Sequence, residues 1–475
     1  MVRFFCGCLC ECTLSKKAIE CEKISYAYIW IDCFAYTFLG IGKRSIMLNL
    51  RKMKPYTFPK GFLWGSATAG HQIEGDNCNS QNWHYEHEHP ENYDEPSGKA
   101  CNSWELYKED IRLLKMLGHK AYRFSIEWCR IEPAEGAYDD KALARYQNML
   151  DLLAENGMHA CVSLVHGTHP WWFEEKGGFT KEENLKFFVD YLNFLVPKIA
   201  DRVGSWAVIN EFNLDRNIDK EHQNTKVCRL KSHALGYRIV KQYSNAPVSS
   251  AHALVHQDPV RPLDFMDKTM ASLIDWITNE FFFHAVHTGE IVLPYREMEY
   301  MPELKGSSDC WMVNYYHRSP IDARHDFGIG KKSEITSFKL CDVPFGLREF
   351  CPESFMQSVS RLTDKPVWIT ENGICCDDDR FRIIYIMQQL EAMKMAMELY
   401  HVDIRAYLHW SLLDNYEWKS FKPRFGIVDV DRNTFQRTPK PSAFFLKDVY
   451  SQNGFSGNLF AKYVPEFNGF TLYGN

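Results

Sequence analysis

Two glutamates stand at the ends of strand-like runs. Glu211 closes Trp206-Ala207-Val208-Ile209-Asn210-Glu211, and Glu371 closes Val367-Trp368-Ile369-Thr370-Glu371 before Asn372-Gly373. Taken singly, either would serve equally well as a helix cap or as a partner for an arginine. As a facing pair they suit the cleavage of an acetal. One carboxyl protonates the departing oxygen while the other attacks the anomeric carbon, across about 5–5.5 Å when configuration is retained. That division of labour requires environments that drive the two pKa values apart.

The elements that must position the pair follow from the periodicity. After Met53 the chain alternates short β-branched or aromatic runs with longer stretches of helical period, the pattern of parallel strands joined by helices. Strand-like runs fall at Phe62–Ala67, Ala121–Ile126, His159–Val165, Ser205–Asn210, Val248–Ala253, Cys310–Tyr315, Val367–Thr370 and Ile404–Trp410. Between them, Glu105–Leu117 stops at Gly118, Lys141–Asn156 stops at Gly157, and Thr180 with Glu183 reads as a capping box. Eight strand–helix units without a glycine-rich phosphate turn after the first strand predict an α/β fold, a single (β/α)8 TIM barrel, rather than an open doubly wound sheet. Glu211 and Glu371 then close the fourth and seventh strands, across one mouth.

Composition narrows the partners. Of 475 residues, 45 % are hydrophobic and 24 % charged, with a net charge of −6; no basic stripe is present, which argues against nucleic acid. Aromatic residues make up 15 % of the chain, enough to pack a large core and to face the apolar side of sugars. Six of the 16 cysteines (Cys6, Cys8, Cys10, Cys12, Cys21 and Cys33) crowd the first 33 residues, and ten are scattered without a disulfide framework. A reducing, cytoplasmic setting is expected. The run Cys6-Gly7-Cys8-Leu9-Cys10-Glu11-Cys12 lacks the gaps of a zinc site. Residues 26–42 are the most apolar stretch, but Asp32 interrupts them and they fall short of the roughly 20 residues that span a bilayer. Residues 1–52 read as an extension outside the fold, and 53–475 as the barrel. The segment His84-Tyr85-Glu86-His87-Glu88-His89 matches no strong metal motif and reads as a solvated rim loop.

Several motifs in order resemble glycoside hydrolase family 1, the β-glucosidase family, from about Tyr56 to Tyr450. Phe62-Leu63-Trp64-Gly65-Ser66-Ala67-Thr68-Ala69 leading to Gln72-Ile73-Glu74-Gly75 is similar to the family's first strand. Tyr122-Arg123-Phe124-Ser125-Ile126-Glu127-Trp128 resembles the second, His166 ends the third and Asn210-Glu211 the fourth. Asn314-Tyr315-Tyr316, Ile369-Thr370-Glu371-Asn372-Gly373 and Trp410-Ser411-Leu412-Leu413-Asp414-Asn415-Tyr416-Glu417-Trp418 match the sixth, seventh and eighth.

The resemblance implies a retaining β-glycosidase with Glu211 as acid/base and Glu371 as nucleophile. It implies a sugar clamp of Gln72, His166, Asn210, Tyr316, Trp410, Glu417 and Trp418, with Arg123 and Asn314 supporting. Arg123 and Tyr316 are expected to bracket Glu371, and Glu211 to be less well paired so that it holds a proton near neutral pH. The expected ligand is a small β-glycoside or oligosaccharide, with no metal or organic cofactor and no membrane.

The chain departs from the family at two points. Phe212 follows Glu211 where proline is usual, which predicts a less constrained turn and leaves the polar stretch Asn213–Lys226 as a loop. Gly167 follows His166 where an aromatic residue is common, which predicts a more open mouth. These departures keep a catalytically impaired glycan-binding barrel as an alternative. A 6-phospho-β-glucosidase is another, given Lys419, Lys422 and Arg424 nearby, although Glu417 would repel phosphate.

Overall fold

Eight parallel strands close into a barrel: β1 (Leu63–Ala67), β2 (Ala121–Ser125), β3 (His159–Val165), β4 (Ser205–Asn210), β5 (Val248–Ala253), β6 (Trp311–Asn314), β7 (Val367–Asn372) and β8 (Ile404–Trp410). Each pairs with its sequence neighbour, and β8 returns to β1. All eight lie where the alternating pattern puts them. The computed structural model describes residues 47–214, 219–294, 296–325, 338–339, 347–348, 351–467 and 470–472. The six clustered cysteines, the apolar stretch 26–42 and part of the polar stretch after Glu211 lie outside the described residues.

Alternation along the strands builds two cores. Val162, Leu164, Trp206, Val208, Trp311, Val313, Val367 and Ile369 join the large cluster between strands and helices. Ala121, Cys161, Ala207, Ala251, Met312, Trp368, Ala406 and Leu408 form a second, interior cluster. Small residues on most strands leave room for the bulky Met312 and Trp368, as filling a narrow barrel requires.

Each strand is followed by a helix. The long helix leading back from β1 to β2 is Ser103–Met116, with Gly118 at φ +78° just beyond it, and the second, from β2 to β3, is Asp140–Glu155, with Gly157 at φ +66°. Asp139 caps the second by accepting from the N–H groups of Lys141 and Ala142. The capping box at Thr180 does not form. Gly178–Thr180 and Glu182–Asn184 are short 3-10 turns, the Thr180 hydroxyl donates to the Gly177 carbonyl, and the helix starts only at Leu185. The local backbone carbonyl captured the hydroxyl first, as Ser and Thr side chains often allow. After β4, the helix Lys220–Tyr243 starts inside the expected polar loop, capped by Asp219.

The start of the packed body also differs from the expected boundary at 52. Met47–Asn49 pairs antiparallel with Phe470–Leu472, and Leu50 is fully buried against the segment at Gly457. Among the described residues no helix is long and apolar enough to cross a membrane. Leu50→Ala is expected to destabilise the fold by about 2–5 kcal/mol, the usual range for a buried leucine. Chemical denaturation reads this directly, and an unchanged midpoint would place Leu50 outside the cooperative unit.

Candidate active site

Strict alternation would send consecutive residues of a strand to opposite faces. Two register shifts prevent this at the mouth. β4 carries an extra residue between Ala207 and Asn210 relative to β5, and β7 carries one between Ile369 and Asn372 relative to β8. Such bulges re-aim side chains. Asn210 and Glu211, and likewise Thr370 and Glu371, can therefore serve the same mouth.

Glu371 lies almost wholly buried between two donors: Arg123 Nη1 at 2.6 Å and Tyr316 Oη at 2.6 Å. Burial raises its pKa, and the Arg123 charge, the Tyr316 hydroxyl and Asn314 pull it back. Among the described residues no cation is in contact with Glu211, and the Arg123 charge lowers its pKa only as the smallest of the causes. Its Oε1 accepts from Asn314 Nδ2 at 2.9 Å, and burial followed by the charge of Glu371 pushes its pKa up to about 8. One amide, Asn314, thus serves both carboxyls, and Thr370 Oγ1 orients it by donating to its Oδ1 at 2.7 Å.

Beside the carboxyls, Asn210 Oδ1 accepts from Arg123 Nη2 at 2.6 Å and from Asn314 Nδ2 at 3.0 Å. Its Nδ2 therefore faces His166 Nε2, 3.1 Å away. Burial, aided by the Arg123 charge, drives the His166 pKa well below its ordinary value. The ring is neutral, Nε2 accepts from Asn210, and Nδ1 carries the hydrogen. That Nδ1 is buried without a partner.

Gln72 shows the same pattern. Its Nε2 donates to Tyr416 O at 2.8 Å, Asn415 Oδ1 at 3.0 Å and Glu417 Oε2 at 3.2 Å, while its Oε1 is buried and unpartnered. Trp410 Nε1 donates to Glu417 Oε1 at 3.2 Å, and burial pushes the Glu417 carboxyl up to about 8. A buried donor and a buried acceptor left open toward one mouth suit the hydroxyls of a sugar. All eleven residues singled out from sequence are brought to this one site. Thr370 and Asn415 lie within the quoted motifs without having been assigned, and Ser163, which accepts from Arg123 Nε at 3.1 Å, was missed.

The two departures read differently in three dimensions. Gly167 does not open the mouth: a Cβ there would stand 2.6 Å from Trp418 Cη2, so the indole occupies the space of the missing side chain. The Trp418 ring lies nearly parallel to His71 and His166, with centroids 6.0 and 6.3 Å away. Phe212 does not loosen the turn: it is 2 % exposed and packs against Phe281 and Phe282. The histidine-rich rim segment is helical, Gln81–Glu88, capped by Ser80. Its residues diverge: His84 stacks on Trp171, His87 on Trp83, and Glu86 accepts from Ser97.

A closed barrel with two unequal carboxyls and an open polar clamp at its mouth defines a glycosidase. Residues 54–455 match glycosyl hydrolase family 1, and the chain belongs to that family. It is an O-glycosyl hydrolase of the β-glycosidase class. It is similar to beta-glucosidase A of Thermotoga maritima, 30 % identical with 86 % of this chain and 99 % of that protein covered. It is 27 % identical to the cytosolic beta-glucosidase of Homo sapiens, covering 85 % of this chain and all of that one. Among solved structures, a beta-glycosidase from Pyrococcus horikoshii superposes with a TM-score of 0.76 at 33 % identity, covering 86 % of this chain and 98 % of that one.

The charge coupling is open to test by carbon-13 NMR of labelled glutamate. Glu211 is expected to titrate near about 8 and to move down in Glu371→Gln, because removing the neighbouring negative charge favours its ionised form. Titration in the ordinary glutamate range in both proteins would refute the coupling.

Proposed function

We propose that the protein hydrolyses terminal, unphosphorylated β-D-glycosides by double displacement. A Glu371 oxygen attacks the anomeric carbon as the glycosidic bond breaks, while Glu211 passes its proton to the leaving oxygen. Glu211 then takes a proton from water as that water attacks the anomeric carbon, releasing the sugar and freeing Glu371. The observation that carries this assignment is the asymmetry of the two carboxyls. Glu371 is paired with a guanidinium and a phenol, whereas Glu211 receives one neutral amide.

In this reading Asn210 Nδ2 holds the 2-hydroxyl, a contact that strengthens as charge develops on the ring. His166 Nδ1 and Gln72 Oε1 take further hydroxyls, Glu417 the hydroxyls beyond them, and Trp410 and Trp418 cover the C–H face. Relatives named beta-glucosidase support the gluco configuration, with galacto and fuco sugars as further substrates. Glu417 disfavours a phosphate at the 6-position, and Lys422, one of the three basic residues nearby, is paired with Asp94 at 2.9 Å. Seven free thiols among the described residues, all but Cys78 buried, support a reducing, cytoplasmic location.

Purified protein assayed with aryl β-glucoside, β-galactoside, β-fucoside and 6-phospho-β-glucoside is expected to cleave the unphosphorylated sugars. Glu371→Gly should abolish hydrolysis and, with azide, yield a glycosyl azide of inverted configuration. The kcat/KM profile should fall as pH rises through about 8, because Glu211 loses the proton it must donate, and this limb should vanish in Glu211→Ala. Sugar binding without cleavage would favour the glycan-binding alternative, and preference for the phosphorylated sugar would favour the other.

A further inference from the structure

The backbone of Glu211 adopts φ +51°, the left-handed region that disfavours any residue with a side chain. Such a conformation persists only where its surroundings over-determine it. Main-chain pairing cannot do this alone. The Glu211 N–H donates to Ala251 O at 2.8 Å, and the register between β4 and β5 ends at Asn210 and Ala251.

Two residues further on, the side chain of Asn213 takes over. It is fully buried. Its Nδ2 donates to the carbonyls of Ala253 at 2.7 Å and Thr278 at 2.6 Å, with His252 Nε2 at 3.1 Å, and its Oδ1 accepts from the Ala253 N–H at 3.0 Å. Against Ala253 the amide copies the paired donor and acceptor of a neighbouring strand. It prolongs the β4–β5 ladder past the turn and ties it to the π-helical turn Trp276–Glu280. Phe212, between the two anchors, is held by Phe281 and Phe282.

We infer that Asn213 is a positioning residue for the reaction: its amide locks the left-handed turn at Glu211 and so aims the acid/base carboxyl. Where a proline would restrict the backbone covalently, this chain restricts it with the hydrogen bonds of one buried amide and a buried ring. The inference rests on the assignment of Glu211 as acid/base. Asn213 supplies both amide functions to this lock, so alanine removes it while leaving Phe212 and the carboxyl itself in place.

The test exploits the leaving group. A dinitrophenolate departs without a proton, whereas a phenolate needs one. In Asn213→Ala, kcat/KM for the phenyl glycoside should fall by about 100-fold, within the range that general acid catalysis supplies, while kcat/KM for the dinitrophenyl glycoside changes little. Azide should raise kcat for the dinitrophenyl substrate, because an anion needs no base. Cleavage of the dinitrophenyl glycoside doubles as the check on folding. Should the alanine variant not fold, Asn213→Ser, which retains one donor, carries the same comparison. Equal losses with both leaving groups, or none with either, would overturn the role of Asn213. Glu211→Ala run in parallel separates the two claims. If it shows the leaving-group dependence and the Asn213 variants do not, only the lock fails; if it lacks the dependence, the acid/base assignment fails as well.

Discussion

The guanidinium of Arg123 has no solvent exposure and sits inside the barrel on β2. Moving such a charge out of water is costly, and it is tolerated only where a counter-charge and enough acceptors surround it. Here Glu371 supplies the charge, and Ser163, Asn210, Asn314 and the Thr370 carbonyl supply acceptors. These partners come from β3, β4, β6 and β7, so one side chain ties together five strands at the mouth. Its orientation propagates. Because Arg123 claims the oxygen of Asn210, the amide nitrogen must face His166; because that nitrogen donates, the imidazole keeps its hydrogen on Nδ1. A cation that does not touch the imidazole thereby fixes which of its nitrogens carries the hydrogen.

The same cation makes the two carboxyls unequal. Glu371 is buried and Glu211 partly buried, and desolvation raises both. Arg123 and Tyr316 pull the Glu371 carboxyl back toward its ordinary value, although its pKa stays raised. Its negative charge then becomes part of the environment of Glu211, adding to desolvation there. The contacts at β7 thus act on both carboxyls: they oppose the desolvation of Glu371, and the Glu371 charge raises Glu211. The pair titrates as a coupled system, so altering either member changes both.

The barrel was legible because its signal is repeated. Eight runs of alternating or apolar residues with helical stretches between them leave few architectures to choose from, and the motifs at the strand ends supplied residues that the structure brings together at one mouth. The extra residues in β4 and β7 were not legible, since a bulge adds one ordinary residue to a run and leaves composition unchanged. Yet the bulges explain why Asn210 and Glu211 both serve one mouth. Thr180 illustrates another limit. A hydroxyl near a helix start has several acceptors within reach, and only the packed chain decides that it bonds to Gly177. The place of Leu50 in the core depends on a partner at Gly457, some four hundred residues away in sequence, which no local pattern announces.

Phe212 and Gly167 carry the more general point. Each looks like a loosening when the motif is read alone, because a restricted residue is replaced by a freer one, and a large residue by none. Freedom of a single position is a property of the unfolded chain as much as of the folded one. In the folded chain a buried phenylalanine contributes on the order of 1.5–3 kcal/mol of apolar burial, and two further aromatic rings hold it. The space left by Gly167 is filled from the opposite side by Trp418, itself seated alongside two imidazoles. Rigidity at Glu211 and closure beside Gly167 are therefore retained by tertiary contact in place of local covalent restraint. A restraint made by packing can be lost when any of several distant partners changes, so the aim of Glu211 in this chain depends on Phe281, Phe282 and Thr278 as well as on its own strand.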